Sequence, residues 1–112
     1  MENQFNIGDT VYCIYNRFGK IEQLRIYSIK LKDNEICYND NFSIKYDKSE
    51  IEKKCYTYRD SFYSKNQEIL KEFFCKARIA ECQKYIEDRK KDISEFEAQI
   101  REYYRKLMTI NN

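Results

Sequence analysis

Five cysteines are the side chains best suited to chemistry in this 112-residue chain, which contains no histidine. Cys75 and Cys82 stand seven residues apart, a spacing that puts both thiols on one side of a helix. Zinc takes about four ligands, usually in closely spaced pairs, whereas Cys13, Cys37 and Cys55 fall in separate short segments. There is no C-x-x-C pair, and the odd count suits a reducing compartment. The thiols therefore read as packing groups, and no metal and no cofactor is expected. Acid–base catalysis without histidine would fall to Asp, Glu, Lys, Tyr or Cys. The acids lie in turns or four residues before a base, as in Glu72/Lys76, Glu87/Lys91, Glu97/Arg101 and Glu102/Lys106, which is how a solvated helix surface is built. No Gly-rich phosphate loop and no nucleophile elbow occurs. The expectation is a protein with no catalytic residues, not an enzyme.

Cations offer a second kind of chemistry. Arg89-Lys90-Lys91 is the densest basic run, followed by Lys53-Lys54 and the group Arg101, Arg105 and Lys106. Beside 11 Tyr they could stack bases and neutralise phosphates. Against this, Glu87, Asp88 and Asp92 flank the main run, and the net charge is only +2. A phosphate-backbone binder ordinarily has a strongly basic body. Nucleic-acid binding is the runner-up class.

The strongest pattern is a seam. Ile79, Ile86, Ile93, Ile100 and Leu107 recur at seven-residue spacing, and three residues after each come Cys82, Arg89, Phe96, Tyr103 and Ile110. These are the a and d positions of a heptad repeat, with Arg89 the one charged interruption, and such a repeat winds a helix around a partner. Ile79, Ile86, Arg89, Lys90, Ile93, Phe96, Ile100, Tyr103 and Leu107 are the candidate partner-binding residues. In a parallel pair the flanking contacts would be Arg78/Gln83, Tyr85/Lys90, Asp92/Glu97 and Gln99/Tyr104. None is a salt bridge and one is repulsive, so antiparallel association, an intramolecular hairpin or a foreign groove fits better.

The element carrying this seam starts from Ser64, which with Gln67 forms a capping box. No Gly or Pro breaks the helix from there to about Met108. Its apolar stripe changes side along the way. Leu70, Phe73, Phe74, Ala77 and Ala80 form one face, and at 100° per residue Ile79, Cys82, Ile86 and Ile93 fall nearly opposite. The first turns are expected to pack on the preceding domain, with Phe73 a buried aromatic, and the later heptads on something else. A kink near Arg89 to Asp92, with Asp92 and Glu95 starting a second helix, is the alternative.

Upstream, Gly8-Asp9 is a turn into the strand Thr10 to Tyr15, and Asn16 to Lys20 is a hairpin loop. Ile21 to Lys32 reads as one long strand whose alternation slips from Leu24 and Ile26 to Ile29 and Leu31, the mark of a bulge or sharp bend. Turns at Asp33-Asn34 and Asn39-Asp40-Asn41 set off strands Glu35 to Tyr38 and Phe42 to Tyr46, and a last strand lies within Lys53 to Tyr58. Five short strands over about fifty residues suggest a small open β-barrel. The order Gly8-Asp9-Thr10-Val11-Tyr12, a bent second strand, Tyr-rich third and fourth strands, then Phe62-Tyr63-Ser64-Lys65 before a helix resembles the short SH3-like-barrel proteins of phages and prophages of AT-rich bacteria. The absence of Pro and the abundance of Ile, Lys, Asn and Tyr agree with an AT-rich coding sequence. The resemblance implies a fold and a mobile-element setting but no site residues.

The expected fold is thus α+β: a small SH3-like antiparallel β-barrel over 1–63, then a helical arm over 64–112, one helix or a hairpin, coiled-coil-like from 79. The expected function is non-enzymatic binding to a protein partner in a host complex, through the arm. The concrete form is an inhibitor of a host defence machine, of the anti-CRISPR kind. The alternatives are a nucleic-acid-binding or regulatory accessory protein, and a structural phage protein that forms a homo-oligomer through its helix. No apolar run approaches the roughly 20 residues of a membrane span, and no signal segment opens the chain, so a cytoplasmic protein with no membrane contact is expected.

Overall fold

The computed structural model describes residues 3–15 and 19–110. Among the described residues the chain forms seven short strands: β1 (Thr10–Tyr15), β2 (Ile21–Arg25), β3 (Ile29–Lys32), β4 (Glu35–Tyr38), β5 (Phe42–Lys45), β6 (Tyr56–Tyr58) and β7 (Ser61–Ser64). A short helix, α1 (Lys48–Lys53), separates β5 from β6, and one long helix, α2 (Gln67–Ile110), ends the described chain. The architecture is therefore α+β, a β region followed by a single C-terminal helix. All strand pairs are antiparallel, in a four-stranded sheet of order β2-β1-β7-β6 and a three-stranded sheet of order β3-β4-β5.

Four points correct the sequence reading. First, the stretch Ile21 to Lys32 is not one strand but β2 and β3, which belong to different sheets. The break is closed by hydrogen bonds. Ile26 pairs with the Gly8-Asp9 turn, its carbonyl accepting from Gly8 N at 2.8 Å and its N–H donating to Asp9 O at 2.9 Å. Asn39 covers the rest: its Oδ1 accepts from Tyr27 N at 2.8 Å and its Nδ2 donates to Arg25 O at 2.9 Å. Leu31, expected to continue the apolar alternation, is exposed.

Second, residues 48–53, to which the sequence reading assigned no element, form α1. Asp47 caps it, its Oδ1 accepting from Glu50 N at 3.2 Å, and Lys54 ends it in the left-handed region. Glu50 does not complete a reciprocal box, because its carboxylate accepts from Thr57 N at 3.0 Å instead. Third, Phe62 and Tyr63 belong to a seventh strand, paired with both β1 and β6. Fourth, Ser64 does not cap α2. It is buried at the end of β7 and donates to Lys54 O at 2.7 Å, so Asn66 caps instead, its Oδ1 accepting from Glu68 N at 2.9 Å and Ile69 N at 3.1 Å. Residues 16–18 of the expected hairpin loop lie outside the described residues.

The core lies between the two sheets. Val11, Cys13, Tyr56 and Tyr63 from one meet Ile36, Tyr38, Phe42 and Ile44 from the other, with Phe5 and Ile26 from the connecting segments. Phe5 stands edge-on to Tyr38, Phe42 and Tyr56 at centroid distances of 5.2, 6.2 and 5.5 Å. The Tyr38 hydroxyl accepts from Gln4 N at 3.0 Å and Phe5 N at 3.3 Å, which ties the lead-in segment to β4.

The chain divides into two compact units, one through Lys76 and one from Ala77 onward. The opening turns of α2 belong to the first. Leu70 is fully buried against Ile14 and Cys55, with Ile69, Phe73, Phe74 and Phe62 packed around them. Gly19, at φ +62°, lies so close to the Phe74 ring that a Cβ there would stand 3.2 Å from it. Phe73 is only half-buried, so the anchor of this face is Leu70. Leu70→Ala should cost about 2–5 kcal/mol in urea denaturation, and Phe73→Ala clearly less. Equal losses, or a larger one at Phe73, would show that the docking of the first turns is centred elsewhere.

Candidate interaction face on the long helix

The helix does not kink at Arg89 to Asp92. Those residues are helical within one uninterrupted element, so no second helix folds back to cover the seam. Ion pairs along the exposed surface support it locally. Lys76 reaches Glu72 at 2.7 Å as its spacing suggests, while Glu87 takes Lys90 at 3.3 Å and Glu102 takes Arg105 at 3.1 Å, one residue nearer than expected.

Each a position of the repeat is left open to solvent: Ile79 56%, Ile86 52%, Ile93 56%, Ile100 53% and Leu107 53% exposed. Phe96, Tyr103 and Ile110 at d are exposed as well, and Tyr85 and Tyr104 widen the stripe on its flanks. The structure therefore brings the candidate residues onto one helix face. A helix gains most of its stability by burying such a face, and this one is uncovered in the single chain.

Arg89 shows how the seam carries its charge. Its Nη2 donates to the Tyr85 hydroxyl at 2.9 Å, its guanidinium lies over the Tyr85 ring at 4.7 Å, and Nη1 reaches Asp92 Oδ2 at 3.4 Å. Tyr85 and Asp92 occupy successive g positions of the repeat. They hold the guanidinium toward the g edge of the repeat. The role of Tyr85 was missed in the sequence, although its place four residues before Arg89 is a legible signal.

The basic run is largely engaged by acids of its own helix, since Arg89 pairs with Asp92 and Lys90 with Glu87. No family model, curated protein or solved structure matches the chain.

The cysteines divide by exposure, which corrects the reading of all five as packing groups. Cys13 and Cys55 are buried, Cys37 is intermediate, and Cys75 and Cys82 are exposed on α2. Burial, reinforced by Glu50, pushes the Cys55 thiol up to about 12, and burial also raises Cys13. A thiol rather than a thiolate is a poor nucleophile. Among the described residues, no group of three His, Cys, Asp or Glu is placed to hold a metal ion.

Two concavities among the strands and α1 have their polar groups similarly engaged. The cleft lined by Tyr56, Ser64 and Asn66 has its polar groups tied to one another and to the backbone, with Tyr56 donating to Gln4 Oε1 at 3.0 Å and Ser64 Oγ accepting from Asn66 N at 3.1 Å. In the other, lined by Glu35, Lys45, Glu50 and Thr57, Glu50 is held by Thr57. No helix in the described residues is long and apolar enough to cross a membrane.

Two outcomes follow. In a maleimide time course near pH 8, Cys75 should label quickly while Cys13 and Cys55 stay silent until urea unfolds the chain, and EDTA should leave the melting temperature unchanged. Early labelling of Cys55, or a large drop with EDTA, would overturn the assignment of these thiols to packing. Arg89→Leu should raise the thermal midpoint of the helical signal, because it removes the one charge from the apolar row. An unchanged midpoint would make Arg89 an ordinary solvated residue.

Proposed function

We propose that this protein is a non-enzymatic interaction module that docks another protein along the exposed heptad face of α2. The observation that carries this reading is the exposure of every a position from Ile79 to Leu107 in a helix that runs without a break. Contiguous apolar surface of this kind on a soluble domain marks a protein contact. In finer detail, the two sheets are taken as the halves of a small SH3-like barrel, and the helix from Ile79 as one strand of a coiled coil. Tyr85, Arg89 and Asp92 form a charged edge to the apolar row, and such edges select partner and orientation.

The setting proposed with it is that of a mobile-element protein that occupies a surface of a host defence complex in the cytoplasm, as anti-CRISPR inhibitors do. The absence of Pro and the abundance of Ile, Lys, Asn and Tyr, as in an AT-rich coding sequence, support that setting.

The test uses affinity capture with the full chain. Ile86→Asp with Ile93→Asp should abolish retention of the partner, while Lys91→Asp, on the opposite side of the helix, should not. Retention of wild type should survive moderate salt, since apolar docking lacks the steep salt dependence of phosphate binding. Partner binding that ignores the seam substitutions would refute the docking face, and binding lost steeply with salt would favour nucleic acid.

A further inference from the structure

The apolar row of α2 leaves open what covers it, and its charged edges choose. Resting on the reading of this face as a docking surface, we infer that until a partner is bound the face is covered by a second copy of the chain, laid antiparallel with Ile93 of one helix beside Phe96 of the other.

Register is decided by the repeat itself. In an antiparallel pair each a residue faces a d residue, and one alignment uses the whole row at once, with Ile79 and Ile110 at its ends. That alignment places Arg89 opposite Ile100 and Leu107 opposite Cys82. Along the edges, e residues then meet e residues and g residues meet g residues. Lys90 meets Glu97 of the second copy, and by symmetry this attractive contact occurs twice. Tyr85 meets Lys106 and Asp92 meets Gln99, so no like charges come together. The parallel alternative sets Asp92 against Glu97 and brings the two Arg89 side chains face to face, which is destabilising.

The side chains of the single helix suit the antiparallel pair. Arg89 is already held to the g edge by Tyr85 at 2.9 Å and Asp92 at 3.4 Å, so Ile100 of the second copy would meet a methylene stem rather than a charge. Lys90 holds Glu87 at 3.3 Å through an exposed i,i+3 contact, a weak bond that leaves its ammonium available to a second carboxylate. Lys106 lies over the ring of Tyr103 at 5.5 Å and can make the same kind of contact to Tyr85 across the pair.

Sedimentation equilibrium of the full chain should give twice the chain mass of 13.8 kDa. Orientation is read by cross-linking. Cys37→Ser with Cys75→Ser leaves Cys82 as the one thiol on α2, and in the antiparallel pair its two copies lie about 37 Å apart at 1.5 Å rise per residue. A short bismaleimide should therefore join chains only after Leu107→Cys is added. Lys90→Glu should weaken the dimer about tenfold or more, because both attractive edge contacts become repulsive, and adding Glu97→Lys should restore it. Circular dichroism of each variant checks that α2 remains helical. A monomer at every concentration would overturn the second copy as occupant, while the docking face itself stands or falls by the capture experiment. Cross-linking through Cys82 alone, or no rescue by Glu97→Lys, would overturn the antiparallel register.

Discussion

Phe42 of β5 lies flat on Tyr63 of β7, with ring centroids 4.0 Å apart and planes 7° from parallel. Most of the β region depends on this contact, because the two rings belong to different sheets. Around it Tyr38 stacks on Phe42 at 5.4 Å and Phe5 stands edge-on to both Tyr38 and Phe42. Short strands of three to six residues bury little area individually. A cluster of large rings shared by both sheets supplies apolar contact that no single hairpin could provide. Burial also pushes the Tyr63 hydroxyl up from its ordinary value.

A second constraint is the break between β2 and β3. Leaving a sheet strands the backbone N–H and C=O groups of the bend, which then need partners from elsewhere. Asn39 meets the need by presenting a donor and an acceptor from one side chain, and its own N–H donates to Ser28 O at 2.9 Å. The left-handed conformation of Asn39 and Asp40, which asparagine and aspartate tolerate, is part of the same turn. One residue thus shapes a hairpin loop and closes a strand break more than ten positions away.

The long helix is governed by different physics in its two parts. Through Lys76 it is held by burial of Leu70 among Ile14, Cys55 and their neighbours. Beyond that point the chain offers only local ion pairs and propensity, while a continuous apolar row remains open. Local pairs are worth a few tenths of a kcal/mol each, far less than closing the row against a partner. An acidic and a tyrosine side chain flanking Arg89 show that the row tolerates a charge by moving it to the edge rather than by burying it.

The sequence by itself determined a good deal. The 79-to-110 repeat, the stripe Leu70, Phe73 and Phe74 on another side of the same helix, the strand Thr10 to Tyr15 and the turns at Asp33-Asn34 and Asn39-Asp40 were all legible, because each is a pattern of neighbours along the chain. The candidate face was legible for the same reason: a heptad needs nothing beyond its own spacing. What only the tertiary structure decided were matters of competition between distant groups. Ser64 carries a capping signature, yet its hydroxyl goes to the Lys54 carbonyl and Asn66 takes the helix. Asp47 and Glu50 spell a capping box before α1, yet Glu50 is claimed by Thr57. Ile21 to Lys32 reads as one strand until Asn39 and the Gly8-Asp9 turn draw its middle into other bonds. In each case a local preference worth about 1 kcal/mol met a long-range hydrogen bond of similar worth, and burial elsewhere chose between them.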